Sequence, residues 1–344
     1  MKALELQKHI KHPILITDEK MIAYLIHQRF HVSERFIGLL IQKDSIKLYL
    51  NNLFPTNLKG LDIIRFDDTD QPIHLLNNDL KSDTLYIDKN MHAGFLIKLM
   101  KMNPLIKIEI DELCDRFRSI KDNSEIEKMR QASNINDQAM QIVQSHIKEG
   151  MTELELATHI PDIFLSHGAE GISFTPIVAF GKNTSDPHAV PGDTRLEKGM
   201  PIIVDMGCIY QGYCSDMTRS FFYHKNSLND VYGVVRKANL AAIKAVKPGI
   251  PLKEIDHAAR SVIEKAGYGP YFIHRTGHGI GQDVHEPYDV SATNEHLTEV
   301  GMIFSIEPGI YLPDKGGIRI EDLVLVTEDG CEVLNQYTKD LQIL

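Results

Sequence analysis

The chain has 344 residues and a mass of 38.9 kDa, a length that suits two domains. Hydrophobic residues make up 43% and charged residues 24%, which excludes a disordered or fibrous chain. With 37 Lys+Arg against 47 Asp+Glu the net charge is −10, the wrong sign for general binding to nucleic acid or an anionic membrane, so neither partner is expected. The opening MKALELQKHIKHPILIT holds no apolar signal region, and no apolar run approaches the ~20 residues that span a bilayer. Four cysteines, Cys114, Cys208, Cys214 and Cys331, form no CxxC pair, which reads as a reduced, cytoplasmic protein.

Residues 13–17, 35–42, 46–50, 61–66 and 84–88 are short apolar runs that predict strands, and 2–10, 18–28 and 91–101 carry helical patterns. Their alternation predicts a small α/β domain over residues 1–117. It carries neither a Gly-rich phosphate loop nor a cluster of catalytic residue types, so it reads as a support or oligomerisation domain. A polar stretch at 118–132 marks the boundary. There Ser124 and Glu127 have capping-box spacing. Thr152 with Glu155 predicts a second helix start, and 228–247 and 252–266 predict two more helices. Strands are predicted at 176–180, 201–207, 216–223, 301–307 and 318–327. Grouped helices and hairpin-linked strands make residues 118–344 an α+β domain with antiparallel sheet. Charge follows this division: residues 1–123 hold 18 basic and 17 acidic side chains, residues 124–344 hold 19 and 30.

Two segments of the second domain resemble each other. Leu196–Asp216 and Leu297–Glu321 share a Gly-Met pair (Gly199-Met200, Gly301-Met302) and a carboxylate six residues after the Gly (Asp205, Glu307). A Gly two residues on (Gly207, Gly309), a Tyr (Tyr210, Tyr311) and a closing carboxylate (Asp216, Glu321) complete the likeness. The pattern predicts a domain of two related halves, each giving one hairpin to a shared site. The midpoint of Asp205 and Asp216 falls beside Gln211-Gly212, and that of Glu307 and Glu321 falls in Pro313-Asp314-Lys315-Gly316, both turn-forming stretches. Each hairpin is therefore expected to set its carboxylates directly opposite one another, ~4.5–5.5 Å apart. Buried among apolar neighbours, such pairs need protons, basic partners or a metal.

Of 16 histidines one group stands out, His274, His278 and His285 in HRTGHGIGQDVHEP. Glycines on both sides of His278 allow close backbone approach. His188 lies in a second Pro- and Gly-rich loop, FGKNTSDPHAVPG. One His with four carboxylates suits Mn²⁺, Co²⁺ or Zn²⁺, and bridging carboxylates make a two-metal site natural.

Asp205, Asp216, His278 in GHGIG, Glu307 in SIEPG and Glu321 in GIRIED, in that order, resemble the five-ligand signature of the pita-bread metallopeptidases (family M24). These include methionine aminopeptidases, prolidases and aminopeptidase P. The resemblance spans residues ~118–344, and the first ~115 residues resemble the N-terminal domain of the prolidase, aminopeptidase P and creatinase branch. It implies a C-terminal pita-bread catalytic domain behind a smaller α/β domain. It also implies two divalent ions, Mn²⁺ foremost, held by Asp205, Asp216, His278, Glu307 and Glu321, with Asp216 and Glu321 bridging. Glu307 would also shuttle the proton of a metal-bridging hydroxide. His188, His274 and His285 match histidines around the scissile bond, and Arg319 matches an arginine near the substrate. Arg319 is expected to bind the carboxylate that follows proline. One departure is HEP at 285–287, where many relatives have one more residue before the proline. The implied activity is hydrolysis of Xaa-Pro dipeptides by a cytoplasmic homodimer. The alternatives are an Xaa-Pro aminopeptidase acting on longer peptides or a non-catalytic peptide-binding protein of this fold.

Overall fold

The computed structural model describes residues 1–344, which divide into two compact units, Met1–Arg118 and Ser119–Leu344. The first unit opens with α1 (Lys2–Leu6), β1 (Ile14–Ile16), α2 (Glu19–Ile26), β2 (Gly38–Gln42) and β3 (Ser45–Asn51). It continues with β4 (Asp62–Phe66), α3 (Pro72–Asp79), β5 (Thr84–Ile87), α4 (Ala93–Met102), β6 (Lys107–Ile110) and α5 (Leu113–Ser119). Its six strands form one sheet in the order β4-β3-β2-β1-β5-β6. Successive side chains leave a strand on opposite faces. Ile14, Ile16, Leu39 and Leu48 accordingly pack with α1 and α2, while Leu15, Leu40 and Tyr49 pack with α3 and α4. Both faces are covered, which is why PILIT reads as an unbroken apolar run. Residues 72–79 and 107–110, weakly patterned, are an additional helix and strand.

The second unit starts with a 24-residue helix, α6 (Asn123–His146), and α7 (Glu153–Ser166). The capping box of α6 is Asp122 with Glu125, not Ser124 with Glu127; the Ser124 N–H is itself a donor to the Asp122 side chain. The Thr152–Glu155 box of α7 forms as expected. Strands follow as β7 (Gly171–Ile172), β8 (Ile177–Phe180), β9 (Pro201–Met206), β10 (Cys208–Tyr210), β11 (Tyr213–Cys214) and β12 (Met217–Phe222). Then come α8 (Asn229–Ala245), α9 (Leu252–Lys265), β13 (Gly277–Gly279), β14 (Glu286–Val290), β15 (Ile303–Ile306), β16 (Gly309–Leu312), β17 (Gly316–Arg319), β18 (Asp322–Val326) and β19 (Cys331–Val333).

Every pairing in this unit's sheets is antiparallel. The architecture has two parallel stories. α6 and α7 bury Ala139, Met140, Leu156 and Phe164 against Val178, Ile202 and Val204 of the β12-β9-β8 sheet. α8 and α9 bury Val235, Ala238, Ile255 and Ala259 against Phe304, Ile306 and Val324 of the β14-β13-β15-β18-β19 sheet. Each half is thus a helix pair on an antiparallel sheet, as the internal repeat predicts.

Candidate metal centre

The two hairpins deliver their carboxylates differently. β9 and β12 pair Asp205 with Thr218, and the register continues through Ile209↔Cys214 and Tyr210↔Tyr213. Gln211 and Gly212 form the two-residue turn, with φ of 47° and 77°, the positive values a type I′ hairpin needs. Asp216 therefore lies two residues nearer the turn than Thr218, the partner of Asp205. It meets Asp205 diagonally on the same face, not directly across as the sequence suggests. In the second hairpin, Ile306 pairs with Asp322 and Gly309 with Arg319, so Glu307 and Glu321 do face each other directly.

Asp205, Asp216, His278 and Glu321 are buried, and the Glu307 side chain is 17% exposed. Ligand atoms of Asp216, His278 and Glu321 lie within 4.8 Å of one another. His278 reaches the cluster from β13. A Cβ on neighbouring Gly277 would stand 1.8 Å from the Ser305 carbonyl oxygen, so the strand comes close only because glycine is there. The Nδ1 of His278 lies 3.1 Å from the Gly279 carbonyl, which assigns the proton to Nδ1. Its Nε2 lone pair then faces Asp216 Oδ2 at 3.6 Å and Glu307 Oε1 at 3.5 Å.

The electrostatics ask for a cation. Burial, then the neighbouring carboxylates, push Asp216 and Glu321 well above the usual carboxylate range. Burial raises Glu307 to about 7 against the pull of Arg319. Burial, helped by His285, lowers His278 to about 3. Asp205 Oδ1, Asp216 Oδ1 and Glu321 Oε1 are buried with no hydrogen-bond partner. Such oxygens are rare in folded proteins unless an ion or water meets them.

Beneath the carboxylates, Arg319 is 3% exposed. Its Nη2 donates to Asp205 Oδ2 (2.7 Å), its Nε to Thr218 Oγ1 (3.1 Å), and its Nη1 to Tyr311 Oη (3.0 Å) and the Pro187 carbonyl (3.1 Å). The Thr218 hydroxyl donates a hydrogen bond to Glu321 Oε2 at 2.7 Å. Tyr311 Oη in turn donates to His274 Nε2 (2.9 Å), whose Nδ1–H is given to the Arg275 carbonyl (2.7 Å). Burial then lowers His274 to about 4. Deeper still, Arg219 and Lys339 grip Asp322, and their charges outweigh burial to hold its carboxyl below the usual range.

The remaining histidines sit at the mouth. His285 is exposed, with its ring edge-on to His278 at 4.2 Å between centroids. His188 is exposed and lies near enough to act electrostatically on both His274 and His285. Its loop is clamped by buried Glu153, which accepts from the N–H groups of Phe180 (2.7 Å) and Gly192 (3.0 Å) and from Asn183 Nδ2 (2.9 Å). Sequence reasoning assigned no role to Tyr311 or Thr218. Tyr311 could have been found from its place in the repeat; Thr218 needed the true register of the first hairpin.

A family description, metallopeptidase family M24, matches residues 127–328. An uncharacterized peptidase of Staphylococcus aureus is 38% identical over 339 residues, 94% of each chain. Among solved structures, a dipeptidase of Pyrococcus horikoshii is 36% identical with a TM-score of 0.90 over 100% of both chains. A prolidase of Thermococcus sibiricus is 32% identical with a TM-score of 0.91 over 99% of this chain and 98% of its own. An X-Pro aminopeptidase of Thermotoga maritima is 30% identical with a TM-score of 0.83 over 99% and 100%. The matched residues contain both hairpins, His278 and the helix pairs that carry them, and the chain belongs to metallopeptidase family M24: it is a metal-dependent peptide hydrolase with the pita-bread fold.

Proposed function

We propose that the protein is an Xaa-Pro dipeptidase working with two divalent ions held by Asp205, Asp216, His278, Glu307 and Glu321. The observation that carries the metal assignment is the set of three buried carboxylate oxygens without partners, facing a histidine whose Nε2 is free to coordinate. Four carboxylates and one imidazole form a hard, oxygen-rich donor set, which favours Mn²⁺ and admits Co²⁺ or Zn²⁺. The dipeptide reading is supported by end-to-end similarity to a dipeptidase and a prolidase. The four cysteines are free, which supports a reducing, cytoplasmic setting; no helix is long and apolar enough to cross a membrane.

The Xaa-Pro bond has no N–H, so a protease cannot grip it there. The ions supply Lewis acidity to the scissile carbonyl and to the attacking water. Glu307 takes the water's proton on its carboxylate and delivers it to the proline nitrogen, which leaves as a secondary amine. His285 and His188, at the mouth, donate to the oxygen on which negative charge develops. Arg319 is a positioning residue. Four of its five N–H donors are engaged by Asp205, Thr218, Tyr311 and Pro187, so it orients a ligand and has no two-pronged fork left for the proline carboxylate.

The similarity to an X-Pro aminopeptidase over the full chain keeps longer peptides as the second reading. Steady-state hydrolysis of matched Xaa-Pro and Xaa-Pro-Yaa peptides with added Mn²⁺ separates the two. The dipeptidase reading expects the higher kcat/KM on Xaa-Pro. Faster cleavage of the tripeptides replaces it with the aminopeptidase reading.

A further inference from the structure

Lys121 and Glu286 form an ion pair, Nζ to Oε2 at 3.1 Å, with side chains only 2% and 1% exposed. Neither belongs to the carboxylate cluster. Burying two charges costs several kcal/mol each before their attraction returns any of it, so such a pair is weak evidence for stability alone. The surroundings of Glu286 suggest another use. Its Oε1 accepts the backbone N–H groups of Gln282 (2.8 Å) and Asp283 (3.2 Å). A Cβ on Gly281 would lie 2.6 Å from its carboxylate, so glycine lets the chain fold back over it. The loop from Gly281 to Glu286 is therefore wound around one carboxylate, and its last residue before that carboxylate is His285.

Lys121 has its own anchor. Its N–H donates to the Gly301 carbonyl at 2.9 Å, and Ile120 bridges to Met302 at the start of β15. It thus couples the loop to the strand that leads to Glu307.

We propose that the buried Lys121–Glu286 pair is a positioning device that holds the 281–286 loop, and through it the His285 ring, against His278. The inference rests on the reading of His285 as an oxyanion donor, and the test separates the two. Displacing a catalytic group by about 1 Å can cost ~10²-fold in rate. Lys121→Met is expected to lower kcat by 10- to 100-fold on an Xaa-Pro dipeptide, with KM changed less than threefold and metal content retained by elemental analysis. Lys121→Arg should recover most of the loss.

The decisive comparison is a double-mutant cycle with His285→Ala. If the pair acts through His285, Lys121→Met should cost less than about twofold in the His285→Ala background. An equal cost in both backgrounds overturns the proposal. A His285→Ala enzyme with wild-type kcat instead removes the oxyanion role of His285, which is a different failure. Should Lys121→Met not fold, Glu286→Gln keeps shape and an acceptor while removing the charge, and the same cycle applies to it. A readout apart from activity comes from ¹⁵N-histidine spectra of the metal-free protein. The signal missing in His285→Ala should shift in Lys121→Met and Glu286→Gln and return in Lys121→Arg. An unmoved signal overturns the proposal.

Discussion

Glu307 and Glu321 face each other across the second hairpin, yet neither gives its backbone N–H to the other strand at that rung. Glu307 donates to the Thr276 carbonyl at 2.7 Å and Glu321 to the Thr218 carbonyl at 3.1 Å. The hairpin is thereby opened at its carboxylates. One strand is tied to the approach of β13, which carries His278, and the other to β12, which begins beside Asp216. The first bond ties Glu307 to the His278 strand within the second half, and the second joins the two halves of the domain at the metal-binding face.

Removing the ions should abolish peptidase activity, and Mn²⁺ or Co²⁺ should restore it. Metal removal should also lower the melting temperature, because the cluster then holds its carboxylates uncompensated. Full activity in protein shown by elemental analysis to be metal-free would sink the mechanism.

Asp216→Asn should lose at least one ion and nearly all activity. Its metal-free form should nonetheless be more stable than metal-free wild type at pH 8, since burial and Glu321 raise the Asp216 carboxyl well above its usual range and so disfavour the ionised group in the fold. Denaturant unfolding of both proteins in chelator checks this. An apo Asp216→Asn protein less stable than wild type contradicts the account of a strained cluster.

His188→Ala should keep both ions and lose roughly 10²–10³ in kcat, the scale of one oxyanion donor. Metal loss in this variant would show that His188 acts on the ligands.

Arg319→Met leaves Asp205 without its guanidinium and should destabilise the metal-free protein by about 3–5 kcal/mol, the cost of breaking a buried pair. The ratio of kcat/KM for an Xaa-Pro dipeptide over its C-terminal amide should be the same in variant and wild type. A ratio that collapses toward unity in Arg319→Met would restore Arg319 as the carboxylate contact.

His274 is held down to about 4 in the folded protein, against 6.5 for the free group. The folded state binds fewer protons than the unfolded chain between these values, so the stability from this group is complete above pH 6.5 and is lost as pH falls to about 4. The metal-free His274→Gln protein should lose less stability across that window than metal-free wild type. Parallel pH profiles from denaturant midpoints would show that His274 protonates as freely when folded as when unfolded.

Much of the architecture is local and so was legible. The Thr152–Glu155 box, the helix pairs and the turn around Asp314 follow from neighbouring residues, and the second hairpin closes in the expected register. The first hairpin shows the limit. Turns centred on Tyr210-Gln211 or on Gln211-Gly212 both keep Asp205 and Asp216 on one face, and they shift the partner of Asp205 by two residues, from Asp216 to Thr218. Only the positive φ at Gln211 and Gly212 selects the second. The start of α6 is similar, since Asp122-Glu125 and Ser124-Glu127 have the same spacing and the structure uses the first.

Which residue types could bind metal, in what order and in two repeated contexts, was legible in the sequence, because hairpin and helix patterns depend on neighbours a few positions apart. Tertiary packing alone commits four of the Arg319 N–H donors to Asp205, Thr218, Tyr311 and Pro187, turns His274 to Tyr311, and brings Lys121 to Glu286 across 165 positions. Those partners are distant in sequence, and burial, which makes the pairings matter, arises only when both halves of the domain close over them.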